Sequence, residues 1–431
     1  MEISEIYKIF VQHPVVTTDS RDCPEGSIFF ALKGASFDGN KFAAAALQKG
    51  CSYAVVDEPE YASGDRCILV EDCLKALQQL ANLHRRTLGT KIIGITGTNG
   101  KTTTKELVSA VLAKKYNVLH TEGNFNNDIG VPKTLLRLNP QHQIGVVEMG
   151  ASHPGDIKKL VDVVEPDCGI ITNVGRAHLQ GFGSFEGVVR TKGELYDYLR
   201  AKPAAVAFIH AEDDTLMKIA HGLKLVKYGC TEADDLSVAG RIDSCDPFLC
   251  FSWRHGDGQW HSVKTRLVGA YNVYNALAAA CIGQYFEVEP QLIDEALEAY
   301  TPSNDRSQLE VTKHNRLIVD AYNANPTSMD AALRNFKAMA EGPKMAILGD
   351  MNELGSVSHD EHQKTADFLK EAGFDKVWLV GKEFAKTDCP FRKFDNVEEV
   401  KQAIADQQPE GYYILVKGSN SIHLSQLPPL L

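Results

Sequence analysis

The chain has 431 residues, 45 basic against 56 acidic for a formal charge of −11, and 44% of its residues are hydrophobic. That length suggests about three domains, and the apolar share excludes wholesale disorder. No run approaches the ~20 apolar residues that cross a membrane, and an acidic chain is poorly suited to gripping bulk DNA or RNA, so no membrane insertion and no nucleic acid partner are expected.

Short apolar runs alternate with helix-like stretches, the pattern of α/β domains with largely parallel sheets. In the first unit, residues 1–87, strands are expected at 27–32 and 53–56, with an alanine-rich helix over 41–49 that Gly50 ends. The second unit, 88–303, opens with a strand at 91–96 and continues with strands at 144–148, 169–173 and 205–209. Within it, Gly256-Asp257-Gly258 between β-rich runs reads as a hairpin inserted before a helix. The third unit, 304–431, carries strands at 316–320, 344–348, 376–380 and 412–416. Met1-Glu2-Ile3-Ser4-Glu5 lacks the basic start and apolar run of a signal peptide, and the ten cysteines form no C-x-x-C pair. Reduced thiols, a cytoplasmic setting and a monomer are expected.

Gly97-Thr98-Asn99-Gly100-Lys101-Thr102-Thr103 lies between a strand and a helix. Backbone N–H groups of such a turn and of the following helix cradle phosphate oxygens, Lys101 supplies a point charge, and the Thr102 hydroxyl is placed to ligate Mg²⁺. The loop is a short G-x-x-G-K-T form, because Ile95 stands where the longer pattern has its first glycine. Leu107, Val108, Val111 and Leu112 form one apolar stripe on the helix that follows.

From this loop onward the chain resembles the Mur ligases, ATP-dependent amide-forming enzymes. Glu148 precedes Met149-Gly150-Ala151, and Thr172-Asn173-Val174-Gly175-Arg176-Ala177-His178-Leu179 follows, then Thr191-Lys192-Gly193-Glu194. Later come Gly269-Ala270-Tyr271-Asn272-Val273-Tyr274-Asn275 and Asp320-Ala321-Tyr322-Asn323-Ala324-Asn325-Pro326. The resemblance implies a three-domain α/β protein with a central P-loop mononucleotide-binding domain and a C-terminal Rossmann-like domain. Asn124-Phe125-Asn126-Asn127, Gly181-Phe182-Gly183-Ser184 and Leu348-Gly349-Asp350-Met351-Asn352-Glu353-Leu354-Gly355 resemble the member acting on UDP-N-acetylmuramoyl-tripeptide and D-alanyl-D-alanine, which implies those two substrates. The family member adding the third peptide residue is the enzymatic alternative, and a catalytically silent nucleotide sensor is the alternative from another class.

The same resemblance assigns Thr102 and Glu148 to one Mg²⁺ and His178 to a second, which Lys192 would share as a carbamylated lysine. It assigns Asn272 and Asn275 to ATP binding, with Asn275 reading the adenine edge, and Arg306 and Asp320 to the ribose and phosphates of ATP. Asn272 is equally suited to cap a helix. Ser20, Arg21, Lys33 and Gly34 would handle the uridine diphosphate, Asn124, Asn126 and Asn127 would orient the acceptor, and Asn323, Asn325 and Ser152 would lie near the dipeptide. Asn420 and His423 stand where basic residues are more usual, leaving Lys417 for the dipeptide carboxylate, and His210 replaces a more usual asparagine. In His359-Asp360-Glu361-His362 the two histidines lack further ligands and read as a solvated helix face.

Overall fold

Strands buried on both faces need continuous apolar runs, and those runs assemble into three sheets. The computed structural model describes residues 1–231, 233–302, 306–339 and 342–431, so the boundary expected at 303/304 lies outside the described residues. The first sheet is parallel and holds β1 (Val16–Thr17), β2 (Ile28–Phe30), β3 (Tyr53–Val56) and β4 (Cys67–Leu69) in that order. The predicted 41–49 helix begins as a tight turn over Gly39–Phe42, where Asp38 accepts from Asn40 N, and becomes α-helical over Ala43–Gln48.

A long helix, Cys73–Leu88, is capped by Asp72 and stopped by Gly89 at φ 66°. It docks the first unit on the second. Arg85 Nε donates to Val164 O at 2.9 Å and Nη2 to Glu165 O at 2.7 Å. One apolar cluster runs unbroken from Ile6 and Phe10 through Leu77 to Leu135 and Val161.

The second sheet has nine strands: β5 (Lys91–Thr96), β6 (Val118–His120), β7 (Ile144–Glu148), β8 (Cys168–Ile171), β9 (Val206–His210), β10 (Leu225–Gly229), β11 (Val238–Cys245), β12 (Phe248–His255) and β13 (His261–Val268). Their order is β13-β12-β11-β10-β9-β8-β5-β7-β6. From β6 across to β11 every pairing is parallel. The chain departs from β5 towards β7 on one side and β8 on the other, so a crevice opens at the carboxyl ends of these strands. The expected hairpin is an antiparallel three-stranded meander, because β11 precedes it and pairs in parallel with β10.

The third sheet runs β14 (Gln308–Val311), β15 (Arg316–Asp320), β19 (Tyr413–Lys417), β16 (Lys344–Gly349), β17 (Lys376–Val380), β18 (Arg392–Phe394), with only β14 antiparallel. One expectation is corrected here. The Ser358–Ala372 helix exposes His359 but buries Glu361 and His362. His362 Nε2 accepts from Met351 N at 3.0 Å, and Nδ1 donates to Ser358 O at 2.7 Å. His362 shares a helical stripe with Thr365, Ala366 and Leu369, so it faces inward and anchors the loop after β16. All ten cysteines are free thiols. Among the described residues no helix is long and apolar enough to cross a membrane.

Candidate active site

The loop after β5 must turn sharply to start the Lys101–Leu112 helix, and two glycines allow it. Gly97 sits at φ 142° and a Cβ there would lie 2.0 Å from Thr172 Oγ1, while at Gly100, φ 76°, it would lie 2.5 Å from Asn275 Oδ1. Residues after β8 hold the loop in place. Thr172 Oγ1 and Asn173 Nδ2 donate to Asn99 O at 2.6 and 2.9 Å, and Asn99 N donates to Asn173 Oδ1 at 3.0 Å. Lys101 Nζ folds back onto the carbonyls of Gly97 and Thr98, 2.9 Å from each. Burial lowers its pKa to about 8, against the opposing pull of Glu148.

Glu148, at the end of β7, is 1% exposed. Thr102 Oγ1 donates to one of its oxygens at 3.0 Å and Asn126 Nδ2 to the other at 2.8 Å. No ion pair joins Glu148 to a cation among the described residues. With the adjacent threonine hydroxyl, this buried carboxylate, hydrogen-bonded only by neutral side-chain donors, offers oxygen ligands to a hard cation.

His178 lies on the loop after β8 at φ 50°, a left-handed conformation uncommon outside glycine. Its Nδ1 is hydrogen-bonded to Glu353 Oε2 of the third unit, and Gln180 N donates to Glu353 O at 3.0 Å. Burial lowers the His178 pKa. Lys192, inside the Phe185–Arg200 helix, is 2% exposed, and its Nζ lies 5.7 Å from the centre of the Phe182 ring with no hydrogen bond or ion pair among the described residues. Burial, then the nearby Lys101 charge, hold its pKa well below the usual lysine range.

A cavity of about 860 Å³ opens above these groups, between the second and third units. Thr98 to Thr103, Asn124, Asn126, Asn127, Glu148, Ser152 and His178 line one side, with Asn272 and Asn275. Arg306, Asp320, Asn323 and Lys417 line the other. Arg306 stacks 4.1 Å above the Tyr322 ring, and the buried Lys417 Nζ pairs with Asp320 at 2.5 Å. Lys417 is therefore already engaged. Asn325 is not on the wall: its Oδ1 caps the Pro326–Ala338 helix through Ser328 N at 2.9 Å, and its Nδ2 donates to Asn99 Oδ1 at 2.7 Å. Gly97 and Lys192 lie behind the wall.

Asn272 does not cap its helix. Tyr271 occupies that position, and Asn272 Nδ2 donates to Val268 O at 2.9 Å while its Oδ1 accepts from Asn275 Nδ2 at 2.8 Å. Ser20, Arg21 and Lys33 stand apart from the cavity on the first unit. Lys49 Nζ donates to Ser20 O at 2.7 Å, Arg21 pairs with Asp19 at 2.7 Å, and Lys33 with Asp57 at 3.0 Å and Glu58 at 2.5 Å. Glu353, His210, Asp213 and Tyr274 were given no role from sequence, although all but Glu353 line the cavity. Three of them carried a signal: Glu353 in the Leu348–Gly355 segment, Tyr274 in the Gly269–Asn275 motif, and His210 as a departure from the usual asparagine; Glu353's partner His178 is 175 positions away.

Three family models match the chain in turn: the Mur ligase family catalytic domain over 14–85, the Mur ligase middle domain over 95–283, and the Mur ligase glutamate ligase domain over 305–420. The chain is 34% identical to the UDP-N-acetylmuramoyl-tripeptide–D-alanyl-D-alanine ligase of Bacillus subtilis, covering 96% of this chain and 92% of that one. Among solved structures it is similar to MurF from Acinetobacter baumannii, with a TM-score of 0.86 and 32% identity over 96% of this chain and 92% of that one. MurF ligase from Thermotoga maritima in complex with ADP matches with a TM-score of 0.85 and 26% identity over 96% of both chains.

Proposed function

The chain belongs to the Mur ligase family, and from that membership we propose that it joins D-alanyl-D-alanine to a UDP-N-acetylmuramoyl-tripeptide, consuming ATP, in peptidoglycan precursor synthesis. A carboxylate is a poor electrophile, so it must first be activated. The tripeptide carboxylate attacks the γ-phosphorus and ADP leaves, giving an acyl phosphate. The dipeptide amine then attacks the acyl carbon, loses its proton, and inorganic phosphate leaves. Both steps gather negative charge, and fixed positive groups lower the barrier most effectively.

The observation that carries this reading is the cavity itself: Lys101, Thr102 and Glu148 lie on one wall and Arg306, Asp320 and Lys417 on the other. Lys101 would exchange the loop carbonyls for β/γ-phosphate oxygens. Thr102, Glu148, His178 and a carbamylated Lys192 would hold Mg²⁺, which when bound neutralises charge on the transferring phosphoryl group. The Glu148 carboxylate, hydrogen-bonded only by neutral side-chain donors, supports this. Burial favours the neutral amine at Lys192, the form that adds to CO₂ with an N–C bond forming and a proton released. Asn275 would read the adenine, supported by Asn272, and Arg306 and Asp320 would approach the ribose.

Residues 88–303 would thus bind ATP and residues 304–431 would bring in the dipeptide, past Asn323 and Ser152. Residues 1–87 would hold the uridine nucleotide, with Ser20, Arg21 and Lys33 near the diphosphate and Asn124, Asn126 and Asn127 orienting the acceptor. We assign the work to a cytoplasmic monomer. Phosphate release by the purified protein should require both the UDP-tripeptide and D-alanyl-D-alanine. ATP turnover indifferent to the dipeptide would overturn the assignment.

A further inference from the structure

His210 ends β9, two strands from β5 in the same parallel sheet. At about 4.8 Å per strand its ring stands about 10 Å along the crevice from the phosphate loop, within the reach of a nucleoside triphosphate. It lines the cavity together with Asp213, Tyr274 and Asn275. Two tyrosines flank it, Tyr274 with ring centres 3.9 Å apart and Tyr228 at 5.9 Å with its ring nearly parallel. Glu212 fixes the first of these. It accepts from Tyr274 OH at 3.0 Å and from Thr231 N at 2.9 Å, and from Cys230 N.

The two imidazole nitrogens face different surroundings. Nε2 is sealed from solvent without a hydrogen bond, and the nearest charge is Glu212 Oε2 at 3.6 Å. A lone pair turned towards that carboxylate would be repelled, so the proton belongs on Nε2. Burial independently disfavours the imidazolium. The neutral ring with Nε2–H leaves Nδ1 as an acceptor, and Nδ1 makes no hydrogen bond to any described residue. Asn275, by contrast, already accepts from Thr104 Oγ1 at 3.1 Å and donates to Asn272 Oδ1 at 2.8 Å.

We propose that His210 is a base-specificity residue: its Nδ1 accepts a hydrogen bond from the exocyclic 6-amino group of the nucleotide's purine, with Glu212 setting the tautomer and Tyr274 the ring plane. A 6-oxo purine would turn an oxygen lone pair against the Nδ1 lone pair and be rejected. The inference rests on the reading that this cavity holds ATP.

Equilibrium binding of ATP and of purine riboside 5′-triphosphate, which lacks only the amino group, isolates the contact. The protein should bind the amino-free nucleotide about ten-fold more weakly, the value of one hydrogen bond and its unpaired partner. His210→Ala and His210→Phe, the latter keeping the stack on Tyr274, should bring the two affinities to within about two-fold of each other. His210→Asn, which retains an acceptor oxygen, should preserve the preference. Equal affinities in the unsubstituted protein, or a ten-fold preference surviving in His210→Phe, would overturn the inference while leaving ATP in the cavity. Binding of neither nucleotide would overturn the occupancy of the cavity and the inference with it.

Discussion

Lys101 is the cation that a triphosphate would meet at the loop, and its protonation should set how tightly nucleotide binds. Burial lowers its pKa from 10.5 to about 8, and Arg306 pushes in the same direction against Glu148. With that value, about nine-tenths of molecules carry the charge at about pH 7 and about one-tenth at about pH 9. Apparent affinity for ADP should therefore fall about ten-fold across that interval, about 1.4 kcal/mol, if the charged form alone grips the phosphates. Binding near pH 8 should also take up protons, because the phosphates draw the pKa back upward. On stability the sign is opposite. The unfolded chain binds the proton more tightly, so between about pH 8 and pH 10.5 rising pH removes a penalty that the folded state carries in full below that window. Calorimetric titration of ADP at several pH values, in buffers of different ionisation heat, reads both affinity and proton uptake. Lys101→Arg, charged throughout, should show no inflection. Affinity that is flat across this range in the unsubstituted protein, or the same inflection in Lys101→Arg, refutes the reasoning.

Glu148→Gln keeps the shape but presents one acceptor to two donors, Thr102 and Asn126, and loses the charge; kcat should fall by at least about 100-fold in steady-state assays. Lys192→Ala should be inactive and partly rescued by short-chain carboxylates, whereas full activity in the variant would remove the carbamate from the mechanism. Gly97→Ala places a methyl against Thr172 at φ 142°, so thermal denaturation should show a loss of about 1–3 kcal/mol together with weakened nucleotide binding. His362→Ala strands the Met351 N–H in a buried site, and denaturant titration should register about 1–3 kcal/mol; an unchanged midpoint would place that histidine in solvent after all.

Sequence reading was strongest where one local cause sufficed. The strands at 91–96, 144–148, 316–320 and 376–380 coincide with β5, β7, β15 and β17, because central strands of parallel sheets read as bounded apolar runs. The turn between β5 and the Lys101–Leu112 helix was equally legible, since its glycines are contiguous with the helix start. β11 and β14 were not: β14, Gln-Leu-Glu-Val, is an antiparallel edge strand, and β11 exposes much of its length, so neither has a continuous apolar signature. The capping alternative for Asn272 does not hold, because Asn272 is already the first helical residue and Tyr271 takes the cap position. The pairs His178–Glu353 and Asn99–Asn325 depend on how two folded units meet, which no spacing along the chain encodes.

The two junctions between units differ in their wiring. Between the first and second, a shared apolar core and the buried Arg85 clamp bind two folded bodies into one. Between the second and third, contact is largely polar: the Asn99–Asn325 amide pair, the His178–Glu353 bond, backbone N–H bonds from Arg176 to Thr327, Gln180 to Glu353 and Ala270 to Asn335, and an Arg176–Glu361 bridge whose arginine is 57% exposed, with Val268 and Phe248 as the apolar contribution of the second unit. Hydration can replace each of those bonds, and the apolar contact through Val268 and Phe248 is far smaller than the core the first two units share. Motion of the chain should thus concentrate at a single joint, with the first unit travelling as ballast on the second. The third unit should be the one to part when a product must escape, carrying the far wall of the cavity with it.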